Sequence, residues 1–317
     1  MGILEYGAKF CAKKLDEMDR TQRYPIAVPS PEIVLHTDLP YCSGGDPAHR
    51  LDLCYPAKGG DFPLVIDIHG GGLIYGTKAL NRDFTLHLAE QGFAVASLDY
   101  RLVPQTRFDG QIRDLFAGFR WLSEHLDDHP IQKDAVFLTG DSAGALLAVY
   151  AALIEQSSRL QRQFQVEPSG LPLLGLGLSF GMYFTRHRDF AGKLQPLFFG
   201  KDYRSRDFYP SMEPERLPEL EILPPCYLVT SDDCALKPHS TAFEQLLRQH
   251  GVQHTFRCWP KNAEKSFHIF LMLPIRIGRR AGDHAGNGQL FPGIVFPKHP
   301  SLKCKSHGGL YEIFYAK

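Results

Sequence analysis

The chain has 317 residues and balances 35 Lys+Arg against 35 Asp+Glu, a formal charge of zero with histidines neutral, which argues against a protein that gathers nucleic acid or acidic membrane through a global positive field. With 44% hydrophobic and 22% charged residues it lies away from the composition of disordered chains, and a chain of this length buries roughly 75% of its unfolded surface on folding. The cysteines, at positions 11, 42, 54, 226, 234, 258 and 304, form no Cys-x-x-Cys pair and no Cys/His cluster of zinc spacing, so neither a metal site nor a disulfide framework is expected.

From the N-terminus, Ile3, Leu4, Phe10, Cys11, Leu15 and Met18 recur near helical spacing and predict an amphipathic helix ending before Pro25. Glu5 and Lys9 interrupt the apolar stretch that a signal peptide needs, and Tyr6 stands where myristoylation requires Ser or Thr. The longest uncharged stretch, Ser169 to Thr185, is broken by Pro172 and four glycines and falls short of the roughly 18 apolar residues of a membrane span. A cytoplasmic protein without a membrane span is the expectation.

Alternating segments at Glu32 to Thr37 and Arg50 to Tyr55 flank the turn-rich run Ser43 to Pro47 and predict a hairpin, so that residues 1 to 60 hold a helix and a hairpin. Apolar strands at Leu64 to Ile68, Ala94 to Leu98, Ala135 to Leu138, Leu173 to Leu178 and Cys226 to Thr230 then alternate with helical patterns. These helices fall near Arg82 to Gln91, Phe108 to His125 and Ala143 to Ile154, and a strand-like segment follows at His254 to Trp259. Strands apolar on both faces and separated by helices imply an α/β, doubly wound, mostly parallel sheet. Residues 1 to 274 read as one such domain. Between Met182 and Leu223 the alternation stops, and aromatics mix with basic residues. This inserted cap region is either a self-packed structural insertion or a lid over a site.

The chemistry begins at Gly-Asp-Ser-Ala-Gly, residues 140 to 144, directly after one predicted strand and before a predicted helix. There Ser142 would sit on a sharp strand-to-helix turn that exposes its hydroxyl, with the N–H of Ala143 aimed at charge developing on an attacked carbonyl. His69-Gly70-Gly71-Gly72 leaves another strand. Its glycines let the backbone approach a ligand, so Gly71 and Gly72 are candidates to join Ala143 in an oxyanion hole, while His69 reads as a structural residue positioning the loop.

These two motifs, with the intervening Asp99-Tyr100-Arg101-Leu102-Val103-Pro104 followed by Asp114 and Trp121-Leu122, resemble the hormone-sensitive-lipase-like branch of the α/β-hydrolase fold esterases over about residues 30 to 273. The resemblance implies an α/β-hydrolase fold, a triad in the order Ser, acid, His, and a scaffolding role for Asp99, Arg101 and Asp114. It also implies that His268, in the loop after the His254 to Trp259 segment, is the general base. The family's acid position falls on Cys234, which cannot stabilise an imidazolium as a buried carboxylate does. Asp233 is therefore taken as the acid through a one-residue loop shift, with Asp232 in reserve.

The last segment departs from the family too. From Ile275 to Lys317 there are seven Lys+Arg against two acids and seven glycines, with no helical period. This basic, Gly-rich tail stands where the family closes with a helix, and marginal solubility is expected from the sheet edge left uncovered. The sequence thus points to a serine carboxylesterase acting on small-molecule, short-chain esters through an acyl-enzyme, with no metal or organic cofactor and no nucleic-acid partner. A catalytically weakened hydrolase fold that binds a ligand or partner without turnover is the alternative. An amidase with the same residues is a third reading, and the oligomeric state is open.

Overall fold

Apolar residues run almost without a break through the central strands, the pattern of a sheet buried on both faces. In the computed structural model, which describes residues 28–186 and 190–261 together with Tyr6, Phe10, Ala12, Lys13 and Glu17, these strands form one eight-stranded sheet. They are β1 (Ile33–Pro40), β2 (Arg50–Pro56), β3 (Phe62–Ile68), β4 (Ala94–Leu98), β5 (Ile131–Asp141), β6 (Leu173–Ser179), β7 (Cys226–Ser231) and β8 (His254–Trp259), in the spatial order β1-β2-β4-β3-β5-β6-β7-β8. The β1–β2 and β2–β4 pairs are antiparallel, and all later neighbours are parallel.

The helices are α1 (Arg82–Glu90), α2 (Phe108–His125), α3 (Ala143–Gln156), α4 (Ser158–Phe164), α5 (Phe190–Lys193), α6 (Gln195–Phe199) and α7 (Lys237–Gln249). On β3 the side chains alternate. Leu64, Ile66 and Ile68 enter the main core with α2 and α3, whereas Val65 enters a smaller layer with Leu86, Phe93, Val95 and Phe137. Helix α3 is apolar all round and buried from Ala143 to Ile154, because the sheet, other helices and the cap enclose it.

The hairpin, the parallel sheet and the helices at 82, 108 and 143 stand where the sequence puts them. Strand β5 is longer than expected, starting at Ile131. Phe62 and Pro63 pair with Ile131 and Gln132, after which the register shifts so that Leu64 faces Val136. The exposed Lys133 and Asp134 in that irregularity hid the strand. Helices α4 and α7 lie outside the helical patterns visible in the sequence. The first is a short turn capped by Ser157, whose hydroxyl accepts the Leu160 N–H at 3.2 Å. The second opens on the polar run Lys237-Pro238-His239-Ser240 and shows its apolar stripe only at Phe243, Leu246 and Leu247.

In the cap, α5 and α6 are followed by 3₁₀ turns at Tyr203–Ser205, Tyr209–Met212, Pro214–Arg216 and Pro218–Ile222. Phe199 packs edge-on against Phe108 and Phe208, and Phe208 stacks on Phe164. These aromatics are therefore core. Arg159 forks onto Glu219 at 2.6 and 2.7 Å, and the Tyr150 hydroxyl donates to the Ser211 carbonyl, tying the cap to α3 and α4. Among the described residues no helix is long and apolar enough to cross a membrane. The five helical positions described before residue 28 agree with a first helix, most of which, like the tail after Lys261, lies outside the described residues.

Candidate active site

Strand β5 ends at Asp141 and α3 begins at Ala143, so a single residue makes the turn. That residue is Ser142, with φ +52° and ψ −115°, a backbone that L-residues adopt only when their surroundings impose it. The surroundings do so through close packing. A Cβ on Gly140 would come within 2.6 Å of the Gly144 backbone, and one on Gly144 would strike the carbonyls at the end of β3. Ser142 is further fixed by its N–H donating to the Ser179 carbonyl and its carbonyl accepting from Met182, both at 2.9 Å.

The loop leaving β3 lies against this turn. Gly71 and Gly72 have φ of +109° and +62°, the left-handed region that favours glycine. The Gly71 carbonyl accepts from Ile74 and Tyr75, which curls the loop. Among the described residues the N–H groups of Gly71, Gly72 and Ala143 are not spent on other acceptors, and that of Ala143 also carries the positive end of α3. Gly70 donates to the Asp141 carboxylate at 2.9 Å, so the glycine loop is bonded to the residue before Ser142. His69 is buried, stacks on Tyr100 at 4.4 Å, and its carbonyl accepts the Tyr100 hydroxyl at 2.7 Å. Burial holds its imidazole below the usual histidine range, which suits a neutral positioning residue.

The segment after β4 behaves as scaffold. Arg101 forks onto the buried Asp114 at 2.6 and 2.9 Å, and Asp99 accepts from both the backbone N–H and the ammonium of Lys78. Sequence reasoning missed a further group. Asn81 donates its amide to Asp67 at 3.2 Å and to Asp141 at 3.1 Å. A carboxylate inside the apolar strand Leu64-Val65-Ile66-Asp67-Ile68 was the available signal.

The loop after β7 carries the acid candidates. Asp233 is exposed, and Asp232 accepts from Lys237 at 2.7 Å and from the Lys261 N–H at 3.2 Å. Those hydrogen bonds, that of Lys237 foremost, hold its carboxyl below the usual range. Cys234 is buried, its sulfur accepts the Leu236 N–H at 3.3 Å, and burial pushes its thiol up. His268 lies outside the described residues. Just after this loop, His239 Nδ1 accepts the Phe184 N–H at 3.2 Å, which joins α7 to the strand exit bonded to Ser142. From Phe184 a cleft of about 250 Å³ opens toward the cap between Arg186, Met212, Glu213 and Arg216. Arg186 is already paired with Glu213 at 2.8 Å and lies over the Tyr209 ring. Among the described residues no cluster of three or more His, Cys, Asp or Glu side chains could hold a metal ion.

A family model described as alpha/beta hydrolase fold matches residues 65–272. Esterase B from Lactobacillus rhamnosis, in a structure with a tributyrin phosphonate, is similar at 30% identity and a TM-score of 0.77, covering 85% of this chain and 88% of that one. A bacterial heroin esterase is similar at 25% identity and a TM-score of 0.64, covering 84% and 85%. A probable isoprenylcysteine alpha-carbonyl methylesterase of Oryza sativa subsp. japonica is 28% identical over 249 residues, 74% of this chain but 59% of that protein's length.

Proposed function

The chain belongs to the α/β-hydrolase fold family, in its hormone-sensitive-lipase-like esterase branch, and from that premise we propose that it is a serine carboxylesterase acting on short-chain carboxylic esters. The observation that carries this reading is Ser142 on a positive-φ turn beside three N–H groups with no other acceptor among the described residues. Such a pairing of a serine hydroxyl with neighbouring uncommitted donors has its use when an oxyanion forms.

In the proposed reaction His268 takes the Ser142 hydroxyl proton as the oxygen bonds to the ester carbonyl carbon. Gly71, Gly72 and Ala143 hold the resulting oxyanion, and Asp233 orients the imidazole. The imidazolium returns the proton to the departing alcohol as the C–O bond breaks, and water then repeats the sequence to free the acid. The phosphonate on the Lactobacillus enzyme, a tributyrin derivative, supports small acyl groups as substrates, and the cap cleft offers room for the acyl or alcohol part. The reading includes a cytoplasmic setting, for which the free cysteines of the described residues are the support.

Hydrolysis of p-nitrophenyl acetate and butyrate, with labelling by a fluorophosphonate, tests the proposal. Wild type should turn over and become labelled, and Ser142→Ala should do neither. Equal rates in the two proteins would end it. One observation favours a second reading, a weakened enzyme that binds more than it turns over: a buried thiol, Cys234, stands at the family's acid position while Asp233 lies in solvent. Labelling without appreciable turnover would select it.

A further inference from the structure

Asp67 sits in the smaller apolar layer of the sheet. It is fully buried, and its register partners are Ser97 on β4 and Thr139 on β5. Beside it Asp141, at the end of β5, is half-buried, and the Asn81 amide bridges the two, reaching both oxygens of Asp67 at 3.2 Å and Asp141 Oδ1 at 3.1 Å. Asp141 has a second donor in the Gly70 N–H. Two carboxylates bridged by one neutral amide, one of them fully buried and the other half-buried, cannot both keep a full charge without a large cost, and that cost falls most heavily on the buried one.

The cations nearest in sequence are engaged elsewhere. Lys78 is bound to Asp38 and Asp99, and Arg82 to Asp52 at 2.8 Å. The other ionisable groups on elements packed against β3 are also committed or outside. Tyr150 donates to Ser211, Glu155 accepts from Ser169, and Lys133 and Asp134 are exposed. The Tyr100 hydroxyl and Cys54 thiol complete the surroundings, and neither brings positive charge. The proton therefore belongs on the carboxyl with fewer donors to its anion.

We propose that Asp67 is a positioning residue of the oxyanion loop: a neutral carboxylic acid that, with Asn81, leaves the charge on Asp141 and so keeps Asp141 locked on the Gly70 N–H. Burial, and then the charge of Asp141, hold the Asp67 carboxyl well above the usual carboxylate range, in keeping with this assignment. Asp141 is also raised by burial, against the opposing hydrogen bonds of Asn81 and Gly70. Through Gly70 the pair would set where Gly71 and Gly72 present their N–H groups. This rests on the esterase reading for its catalytic consequence but not for its structural one.

The test compares wild type with Asp67→Asn, which mimics the neutral acid, and Asp67→Ala. A carboxyl raised in the folded state contributes stability that is complete below about pH 4 and is lost as pH rises toward its folded value. The Tm of Asp67→Asn should therefore gain steadily on wild type between about pH 4 and pH 8, and a constant difference would overturn the proposal. Amide hydrogen exchange in residues 68–72 should match wild type in Asp67→Asn and accelerate at least tenfold in Asp67→Ala. Equal acceleration in both, or in neither, would also overturn it. If the protein hydrolyses p-nitrophenyl esters, kcat should fall tenfold or more in Asp67→Ala with KM unchanged, and stay within threefold in Asp67→Asn. Absence of turnover in wild type would defeat the esterase reading alone, since the melting and exchange measurements do not depend on activity.

Discussion

Gly144 and Ile68 meet without room for a side chain: a Cβ on Gly144 would collide with the Ile68 carbonyl oxygen and lie 2.8 Å from that of His69. The first turn of α3 is thus seated on the end of β3, and this contact sets the distance between Ser142 and the loop carrying Gly71 and Gly72. Gly144→Ala must push the helix off the strand. Displacements of about 1 Å in a catalytic array cost on the order of 10²-fold in rate, so kcat on p-nitrophenyl butyrate should fall by about that factor. Stability should fall as well, by roughly 1–3 kcal/mol for an overpacked core. Kinetics combined with a urea melt checks both.

Ser142 offers a cleaner separation of strain from chemistry. Its φ of +52° costs a non-glycine residue about 1–3 kcal/mol, a cost a glycine would not bear. Ser142→Gly should therefore lose turnover entirely and yet melt higher than wild type, by roughly 2–4 °C per kcal/mol recovered. Ser142→Ala keeps the strained backbone and should lose turnover without that gain. A lower Tm for Ser142→Gly would mean that the turn is not strained in solution.

Much of this arrangement was legible in the residues because local rules and the fold agree. Strands β3 and β5 are apolar on both faces, and each ends in glycines that mark a tight turn, so the turn at Ser142 and the glycine loop at Gly71 and Gly72 are readable from the sequence, and with them the candidates Ser142, Gly71, Gly72 and Ala143 for the proposed site. The rest depends on packing. The polar Lys133-Asp134 break concealed the start of β5, and the apolar stripe of α7 starts six residues inside the helix. The role of Asn81 depends on two carboxylates from different strands meeting across it. The acid was obscure for another reason. The family resemblance points to Cys234, charge points to Asp232 or Asp233, and sequence offers no means of weighing a thiol in place against a carboxylate one residue away.

The join between cap and helix carries a pH dependence. Glu219 is drawn below the usual carboxylate range, first by its hydrogen bond from Arg159 and against the opposing effect of burial. A carboxyl lowered in the folded state stabilises above its unfolded value, about 4.3, and loses that contribution as pH falls through the folded one. With the Arg159 side chain 42% exposed, screening limits the pair to about 1 kcal/mol. Glu219→Gln should accordingly melt a few degrees below wild type at pH 7, with the gap closing in acid below the unfolded value. Thermal melts of both proteins across that range provide the check, and a gap independent of pH would refute the assignment.

The loop after β7 holds the proposed acid and its alternatives. Asp232 is spent on Lys237, on the Lys261 N–H and on the Cys258 thiol, so Asp232→Asn should leave kcat within about threefold, the scale of a screened surface pair. Asp233 has no such commitment in this reading, and as the proposed orienting acid its replacement by Asn should cost tenfold or more. Its exposure means that water shields its charge, so it supplies only part of the roughly 10⁴-fold that a buried triad aspartate is worth. A carboxylate at position 234 would be sheltered where the thiol now lies. Cys234→Asp should therefore raise kcat on p-nitrophenyl butyrate by about tenfold or more, without a comparable change in KM. Side-by-side kinetics of the three variants reads the loop directly. No gain in Cys234→Asp would mean that Asp233 already does the whole task, and an unchanged Asp233→Asn would remove it from the triad.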